Sequence, residues 1–240
     1  TIDARMQAAA EEALRDAGVG RGAAVMLDVN NGDILAMASA PSFDPGAFRS
    51  GNSNAIEALI HDGTNPLRLR ATSVYAPGSG FKLVTALAGA RAGLANTYFN
   101  CSGAITYDKR DLRCWIGTRS GGSHGTLNLE QALKCSCNCY FFQLGQSVRI
   151  EGIADMAGFF GIGDKDGPIP GMSQPGLIGT PAYKERLGMG AWALTDTANI
   201  SIGQGFLNVT PLQMAGVTAA IANGGTIWRP RLILNQEAQK

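Results

Sequence analysis

The chain has 240 residues, 45% of them hydrophobic, enough to bury a sizeable core as one domain or two small ones. Twenty basic residues face nineteen acidic ones with no Lys/Arg block, so a nucleic-acid partner has no electrostatic footprint. No apolar run approaches the roughly 18 residues that cross a bilayer, no signal-peptide pattern opens the sequence, and five cysteines cannot all pair within one chain.

Residues 2–17 carry Ile2, Met6, Ala9, Ala13 and Leu14 at helical spacing, ended by Gly18 and Gly20, and predict a first helix. Two apolar, β-rich runs in GAAVMLDVNNGDILAMASAP flank Asn31-Gly32, a hairpin signal, and Pro41 stops the second strand. Residues 41–53 read as loop and 54–61 as a short helix. A Pro77-Gly78 turn feeds an apolar helix from about Ser79 to Ala92, and 95–125 reads as an irregular, Gly- and Cys-rich loop. A helix begins near Asn128, where Asn128 and Gln131 make a capping pair, and runs toward KCSCNCYFF at 134–142. A further helix around 151–160 precedes the Gly/Pro-rich GIGDKDGPIPGMSQPG. Last, Thr210 is an N-cap, Pro211 the first helical residue and Asn223-Gly224 a terminator. One hairpin among many helices predicts an α+β fold.

Two short patterns carry chemistry. In Ser79-Gly80-Phe81-Lys82 the serine and lysine lie three apart on a helix N-terminus, so the amine can reach the hydroxyl. A serine attacks only if a neighbouring base takes its proton, and a lysine serves if burial lowers its pKa. The helix N-terminus also offers backbone N–H groups to a developing oxyanion. In Ser136-Cys137-Asn138 a hydroxyl and an amide two apart on a turn can face one cleft. Both patterns also arise as plain helix caps and solvated side chains. The surrounding KCSCNC is open to reading as a metal site, a redox centre, half of a disulfide or a polar turn.

The order S-x-x-K then S-x-N is the pattern of serine β-lactamases and penicillin-binding proteins. YAPGSGFKLVTALAG resembles the family's Y-x-P-G-S-x-F-K helix, and NPLRLRAT its NPLxNRA approach. HGTLNLEQALKCSCNCYFFQLG resembles its H-G…S-C-N-x-Y-F block, and TDTANISIGQGFLNVTPLQ its G-D-x-x-N-x-S-I-G-Q-G…T-P-L-Q block. TIDARMQAAAEEAL and the hairpin after it match its opening elements. Essentially the whole chain resembles the transpeptidase domain of class B penicillin-binding proteins, closest to the elongation-specific, rod-shape type.

That resemblance implies a penicillin-binding protein/serine β-lactamase-like fold, an antiparallel sheet flanked by helices. Residues 1–240 would be part of one transpeptidase domain, its helical active-site subdomain at roughly 54–200 and its last sheet strands absent. It implies a peptidoglycan D,D-transpeptidase whose Ser79 is acylated by D-Ala-D-Ala stem peptides and by β-lactam antibiotics. Lys82 would be the acylation base. Ser136 would pass a proton to the leaving D-Ala and, with Asn138, shape the substrate channel. Implied partners of the full-length protein are a membrane glycosyltransferase and morphogenesis proteins, with no nucleic acid. Its place would be the periplasmic face, anchored in the cytoplasmic membrane by an N-terminal helix outside this sequence.

The chain departs from the family at Gly80, usually Thr or Ser, and at Leu69, usually Asn. No K-T-G follows Asn138, and HGT at 124–126 precedes the second motif. The expectation is a transpeptidase domain cut before its third motif, weak or inactive as this piece alone. Two rival readings are a serine β-lactamase or β-lactam sensor, and a non-catalytic scaffold that binds cell-wall assembly partners.

Some relatives of the elongation type hold zinc beside the S-x-N motif, and by resemblance the ligands here are Cys101, Cys114, His124 and Cys137. Three thiolates and an imidazole suit tetrahedral structural zinc. The alternative is a Cys101–Cys114 disulfide, contributing about 3 kcal/mol by closing a short loop. Cys135 and Cys139, read as one helical turn apart, are expected to face the core as small hydrophobes.

Overall fold

The computed structural model describes residues 1–18, 20–233 and 238. Lys240, after which the resemblance puts the third motif, lies outside the described residues. In chain order come helix α1 (Ala4–Asp16), strands β1 (Gly22–Leu27) and β2 (Ile34–Ala40), and helices α2 (Gly46–Arg49), α3 (Ser53–His61) and α4 (Lys82–Arg91). Strands β3 (Phe99–Cys101), β4 (Ala104–Tyr107) and β5 (Arg110–Arg113) lead to helix α5 (Trp115–Ser120), strand β6 (Gly125–Leu127) and helices α6 (Leu129–Lys134) and α7 (Asn138–Phe159). The last are strand β7 (Leu177–Ile178), helices α8 (Pro181–Arg186) and α9 (Leu194–Ser201), strand β8 (Leu207–Asn208) and helix α10 (Pro211–Ala222). The chain divides into two compact units.

The first unit is Thr1–Val74, Asp166–Gln174 and Thr210–Lys240. Its sheet is the antiparallel pair β1–β2, Gly22 opposite Ala40 and Val25 opposite Met37, with a bulge at Met26/Leu27. The strands flank Asn31-Gly32 as expected, but the connection spans the whole of 28–33, where Asp28 takes the Asn30 N–H and Asn31 the Asp33 N–H. Helix α1 starts on Asp3, whose carboxylate accepts the Arg5 and Met6 N–H groups. It lies on β2 through Ala10, Ala36 and Ala38, and Gln7 pairs with the Met37 backbone. The stretch 41–53, read as loop, contains the single turn α2. Helix α10 follows its local signals: Thr210 and Gln213 form a reciprocal capping box, Pro211 opens the helix and Asn223 closes it.

The second unit is Tyr75–Lys165 and Pro175–Val209. Helix α7 is its axis, with α4 and α9 packed on it. Phe81, Tyr140, Phe141 and Leu144 are buried completely, each contributing about 1.5–3 kcal/mol. Gly145 lets α9 close in, since a Cβ there would stand 2.6 Å from the Ser201 Cβ. The helix expected at 151–160 is the second half of α7, which begins at Asn138 and is interrupted at Arg149 (φ 67°, ψ 163°).

The stretch 95–125, read as an irregular loop, is instead structured. Strand β3 pairs antiparallel with β6, Phe99 opposite Leu127, and β4 pairs with β5 in a hairpin, Ala104 opposite Arg113. The strands are three or four residues long, too short for an alternating pattern to stand out, so period-2 reasoning misses them. The hairpin turns at Asp108-Lys109, φ 50° and 63°, a turn that usually announces itself with glycine.

Candidate active site and metal-ligand cluster

All four residues of the two motifs lie in the second unit. Ser79 sits in a 3₁₀ turn, Gly78–Phe81, that runs directly into α4. Its side chain is exposed, and among the described residues nothing hydrogen-bonds its hydroxyl. Lys82, the first residue of α4, is 1% exposed. Its Nζ donates to the Ser136 carbonyl at 2.8 Å, to Ser136 Oγ at 2.9 Å and to Asn138 Oδ1 at 2.7 Å. The three amine protons are thus matched by three acceptors from the second motif. The Phe141 ring centroid lies 5.6 Å from the same nitrogen. Burial brings the Lys82 pKa down from 10.5 to about 8, with the neighbouring thiols of Cys114, Cys137 and Cys135 opposing the shift. Such an amine is neutral in about a tenth of molecules at pH 7, against well under a thousandth for an ordinary lysine, and that form can take up a proton.

Ser136 owes its position to the end of α6. The Ser136 N–H reaches the Leu133 carbonyl and the Cys137 N–H the Ala132 carbonyl, the paired bonds of a Schellman ending. The residue between them must be left-handed, and Ser136 has φ 51°. Glycine is the usual occupant; a serine is held there at a cost of about 1–2 kcal/mol. This left-handed residue stops α6 and lets α7 restart at Asn138, so Cys135 and Cys139 are not one helical turn apart. Cys139 is buried in α7, as expected of a core residue, while Cys135 is the half-buried C-cap of α6. The Asn138 amide is fixed at both ends, Oδ1 on Lys82 and Nδ2 donating to the Arg113 carbonyl at 3.3 Å.

Behind Ser79 stands the S-I-G-Q-G segment. The Gly78 N–H donates to the Gly203 carbonyl at 2.9 Å, and Thr85 Oγ1 of α4 donates to the Ser201 carbonyl at 2.9 Å. Gly203 has φ 81°, and a Cβ there would overlap the Gly78 carbonyl. Only glycine permits this approach.

Cys137, between Ser136 and Asn138, belongs to a second cluster. The ligand atoms of Cys101, Cys114, His124 and Cys137 all lie within 4.8 Å of one another, and the three cysteines are buried. Both Cys101 Sγ and Cys114 Sγ are 3.6 Å from His124 Nδ1, and Cys114 Sγ is 4.0 Å from Cys137 Sγ. Tetrahedral zinc, with ligand bonds of ~2.3 Å to sulfur and ~2.0 Å to nitrogen, separates S···N pairs by ~3.5 Å and S···S pairs by ~3.8 Å. The donor set and its spacing fit such an ion. All five cysteines are free thiols, so the alternative Cys101–Cys114 disulfide is not formed. Burial pushes Cys101 up, but the His124 and Gly103 N–H groups and the His124 ring outweigh it and bring this thiol down to about 6. Burial raises Cys137. His124 Nε2 is buried without a partner, leaving Nδ1 to the sulfurs. The Trp115 ring meets His124 edge-on at 5.3 Å, and its Nε1 donates to the Cys135 carbonyl at 2.9 Å.

Three site residues went unread in the sequence. Gly203 was visible inside the S-I-G-Q-G block without its contact being foreseeable. Trp115 and the Arg113 carbonyl came from the stretch taken as irregular, which gives no register to place them.

Residues 22–240 match the family model described as the penicillin binding protein transpeptidase domain. The peptidoglycan D,D-transpeptidase MrdA of Salmonella typhimurium is 33% identical over 247 residues, which cover 100% of this chain and 38% of that protein. Among solved structures, penicillin-binding protein A from M. tuberculosis as a ceftriaxone acyl-enzyme complex superposes with a TM-score of 0.84 at 31% identity, covering 96% of this chain and 52% of that one. The complex between penicillin-binding protein PBP2 and MreC from Helicobacter pylori gives 0.87 at 27%, covering 100% and 45%. The chain thus spans about two-fifths of the curated relative's length. Its match to the family model, together with these likenesses, shows that it belongs to the transpeptidase domain family of penicillin-binding proteins, the serine-type D,D-transpeptidases.

Proposed function

We propose that Ser79 is the nucleophile of a peptidoglycan D,D-transpeptidase of the elongation type, with Lys82 as its base and Ser136 and Asn138 as the polar wall of the cleft. The observation that carries this reading is the buried Lys82 amine, one turn from an exposed serine hydroxyl and bonded to both residues of the second motif. In the first half-reaction Lys82 takes the Ser79 proton as Oγ attacks the penultimate D-Ala carbonyl of a stem peptide. The carbonyl–nitrogen bond breaks, and Ser136 Oγ, bonded to the protonated amine, relays a proton to the departing D-Ala amine. In the second, an amine from a neighbouring stem peptide attacks the ester, a new amide forms and Ser79 regains its proton. A β-lactam follows the first half only, because its leaving nitrogen stays tethered to the acyl group.

Cys101, Cys114, His124 and Cys137 would hold a structural zinc ion, whose part is to fix the Cys137 backbone and so the turn carrying Ser136 and Asn138. The Helicobacter complex between PBP2 and MreC supports an MreC-like partner for the full-length protein. Among the described residues no helix is long and apolar enough to cross a membrane.

Intact-mass measurement of the full-length protein with a fluorescent penicillin tests the reading. A stable adduct on Ser79, absent in Ser79→Ala, is the expected result. No adduct at saturating drug overturns it, and an adduct that hydrolyses within seconds makes the protein a β-lactamase instead.

A further inference from the structure

The β4–β5 hairpin touches both halves of the site, and one side chain at its tip serves an element 86 residues away. Helix α9 begins at Leu194 behind an N-cap residue, Ala193, whose side chain has no oxygen to offer. The first N–H groups of a helix have no partner within it. Here the donors of Leu194 and Thr195 both turn to Asp108 Oδ2, at 2.9 and 3.4 Å. Asp196 is already engaged, taking the Ala193 N–H at 2.8 Å and the Lys184 ammonium at 2.6 Å. The cap that α9 lacks in its own sequence therefore arrives from the hairpin turn.

The two ends of this connection matter. At its base the hairpin lies between Cys101 and Cys114, the Cys114 N–H donating to the Gly103 carbonyl at 2.9 Å, and the Arg113 carbonyl holds the Asn138 amide. At its tip Asp108 holds the start of α9. The far end of α9 presents the Ser201 carbonyl to Thr85 and leads to the Gly203 carbonyl, which takes the Gly78 N–H beside Ser79. Thr106 Oγ1 donates to Asp111 Oδ1 at 2.7 Å, joining the two strands of the hairpin.

We propose that Asp108 is a positioning residue for acylation: by capping α9 from the hairpin tip it ties the metal-ligand cluster and Asn138 to the backbone that supports Ser79. Asp108 touches no reacting atom and acts through α9. This role rests on Ser79 being the nucleophile.

The turn itself supplies the controls. Asp108 is left-handed, φ 50°, a conformation that asparagine and glycine both adopt readily. Asp108→Asn keeps an oxygen acceptor for the α9 donors, whereas Asp108→Gly keeps the turn and removes the cap. In the full-length, zinc-loaded protein, Asp108→Gly is expected to slow acylation by a fluorescent penicillin about fivefold, and Asp108→Asn to stay within about twofold. Hydrogen exchange at the Leu194, Thr195 and Gly78 amides should quicken in Asp108→Gly alone, with the Tyr140–Leu144 core amides of α7 as the control for intact folding. Parental acylation by Asp108→Gly, or an equal loss in both variants, overturns the proposal. Should the parent itself fail to acylate, the transpeptidase reading and with it the role in acylation fall. The exchange data then say only whether the mechanical link from Asp108 to Gly78 exists.

Discussion

All three protons of the Lys82 amine point at acceptors of the second motif, and burial rather than a nearby cation lowers its pKa to about 8. The sign of the pH effect follows. The unfolded chain keeps the amine near 10.5, so the folded protein bears the full cost of a buried charge below about pH 8 and recovers it as pH rises from about 8 to 10.5. For the chemistry the same titration means that acylation by a β-lactam climbs with pH and levels off above about 8. Lys82→Arg, charged at every working pH, removes the climb and lowers the rate by about 10²–10⁴-fold. Stopped-flow measurement of fluorescent-penicillin acylation from pH 6 to 10 checks this, and a flat parental profile would exclude Lys82 as the base. The residue types at 79, 82, 136 and 138 were readable because each motif is local. The misreading of Cys135 and Cys139 came from the same locality: nothing in KCSCNC, which has no glycine, announces that Ser136 is left-handed and breaks the helix.

Between elements the site depends on close backbone approach. Gly203 brings the end of α9 against the Ser79 turn, leaving no volume for a side chain. Gly203→Ala meets both a clash with backbone and an unfavourable φ, a cost of about 2–3 kcal/mol. In a chain of this size the melting temperature should then fall by about 4–10 °C, and acylation at least tenfold. Calorimetry with the penicillin assay reads both, and an unchanged rate would show that the S-I-G-Q-G segment does not support Ser79. Helix α10 shows which elements a sequence reveals: Thr210, Pro211, Gln213 and Asn223 are all start or stop signals within one segment. The stretch 95–125 shows the opposite. Strand β3 finds its partner over twenty residues away, Phe99 opposite Leu127, and the local β4–β5 hairpin turns without glycine. Strands of three or four residues are too short to leave a periodic trace in the chain.

The second unit gathers both motifs and the Cys/His cluster into one body, and the thiol count alone did not decide how the cysteines would be used. If zinc occupies the cluster and prefers the folded state, it stabilises it, by up to about 2.7 kcal/mol when free metal is at 100 times its Kd. Protein purified without a metal-affinity column should therefore carry close to one zinc per chain. Stripping it with a chelator under reducing conditions should lower the melting temperature by about 5–10 °C and slow acylation of Ser79. Less than a tenth of an equivalent of metal, with chelation changing neither value, would retire zinc from the cluster. Whole-chain resemblance made the family legible, because its motifs are spread from the opening helix to Thr210. The link from the Cys/His cluster through hairpin and α9 to Ser79 was not, since its main joins are hydrogen bonds between residues far apart in the chain, as Asp108 is from Leu194.

Ser136 illustrates what such a site concedes. Its left-handed backbone would be relaxed by glycine, the residue a Schellman ending ordinarily selects, yet glycine would take away the hydroxyl that Lys82 holds. Selection for a more robust fold and selection for a working cleft therefore pull codon 136 in opposite directions. If zinc occupies the cluster, its bond to the neighbouring Cys137 would hold the turn in its strained shape, so that the serine need not be traded away.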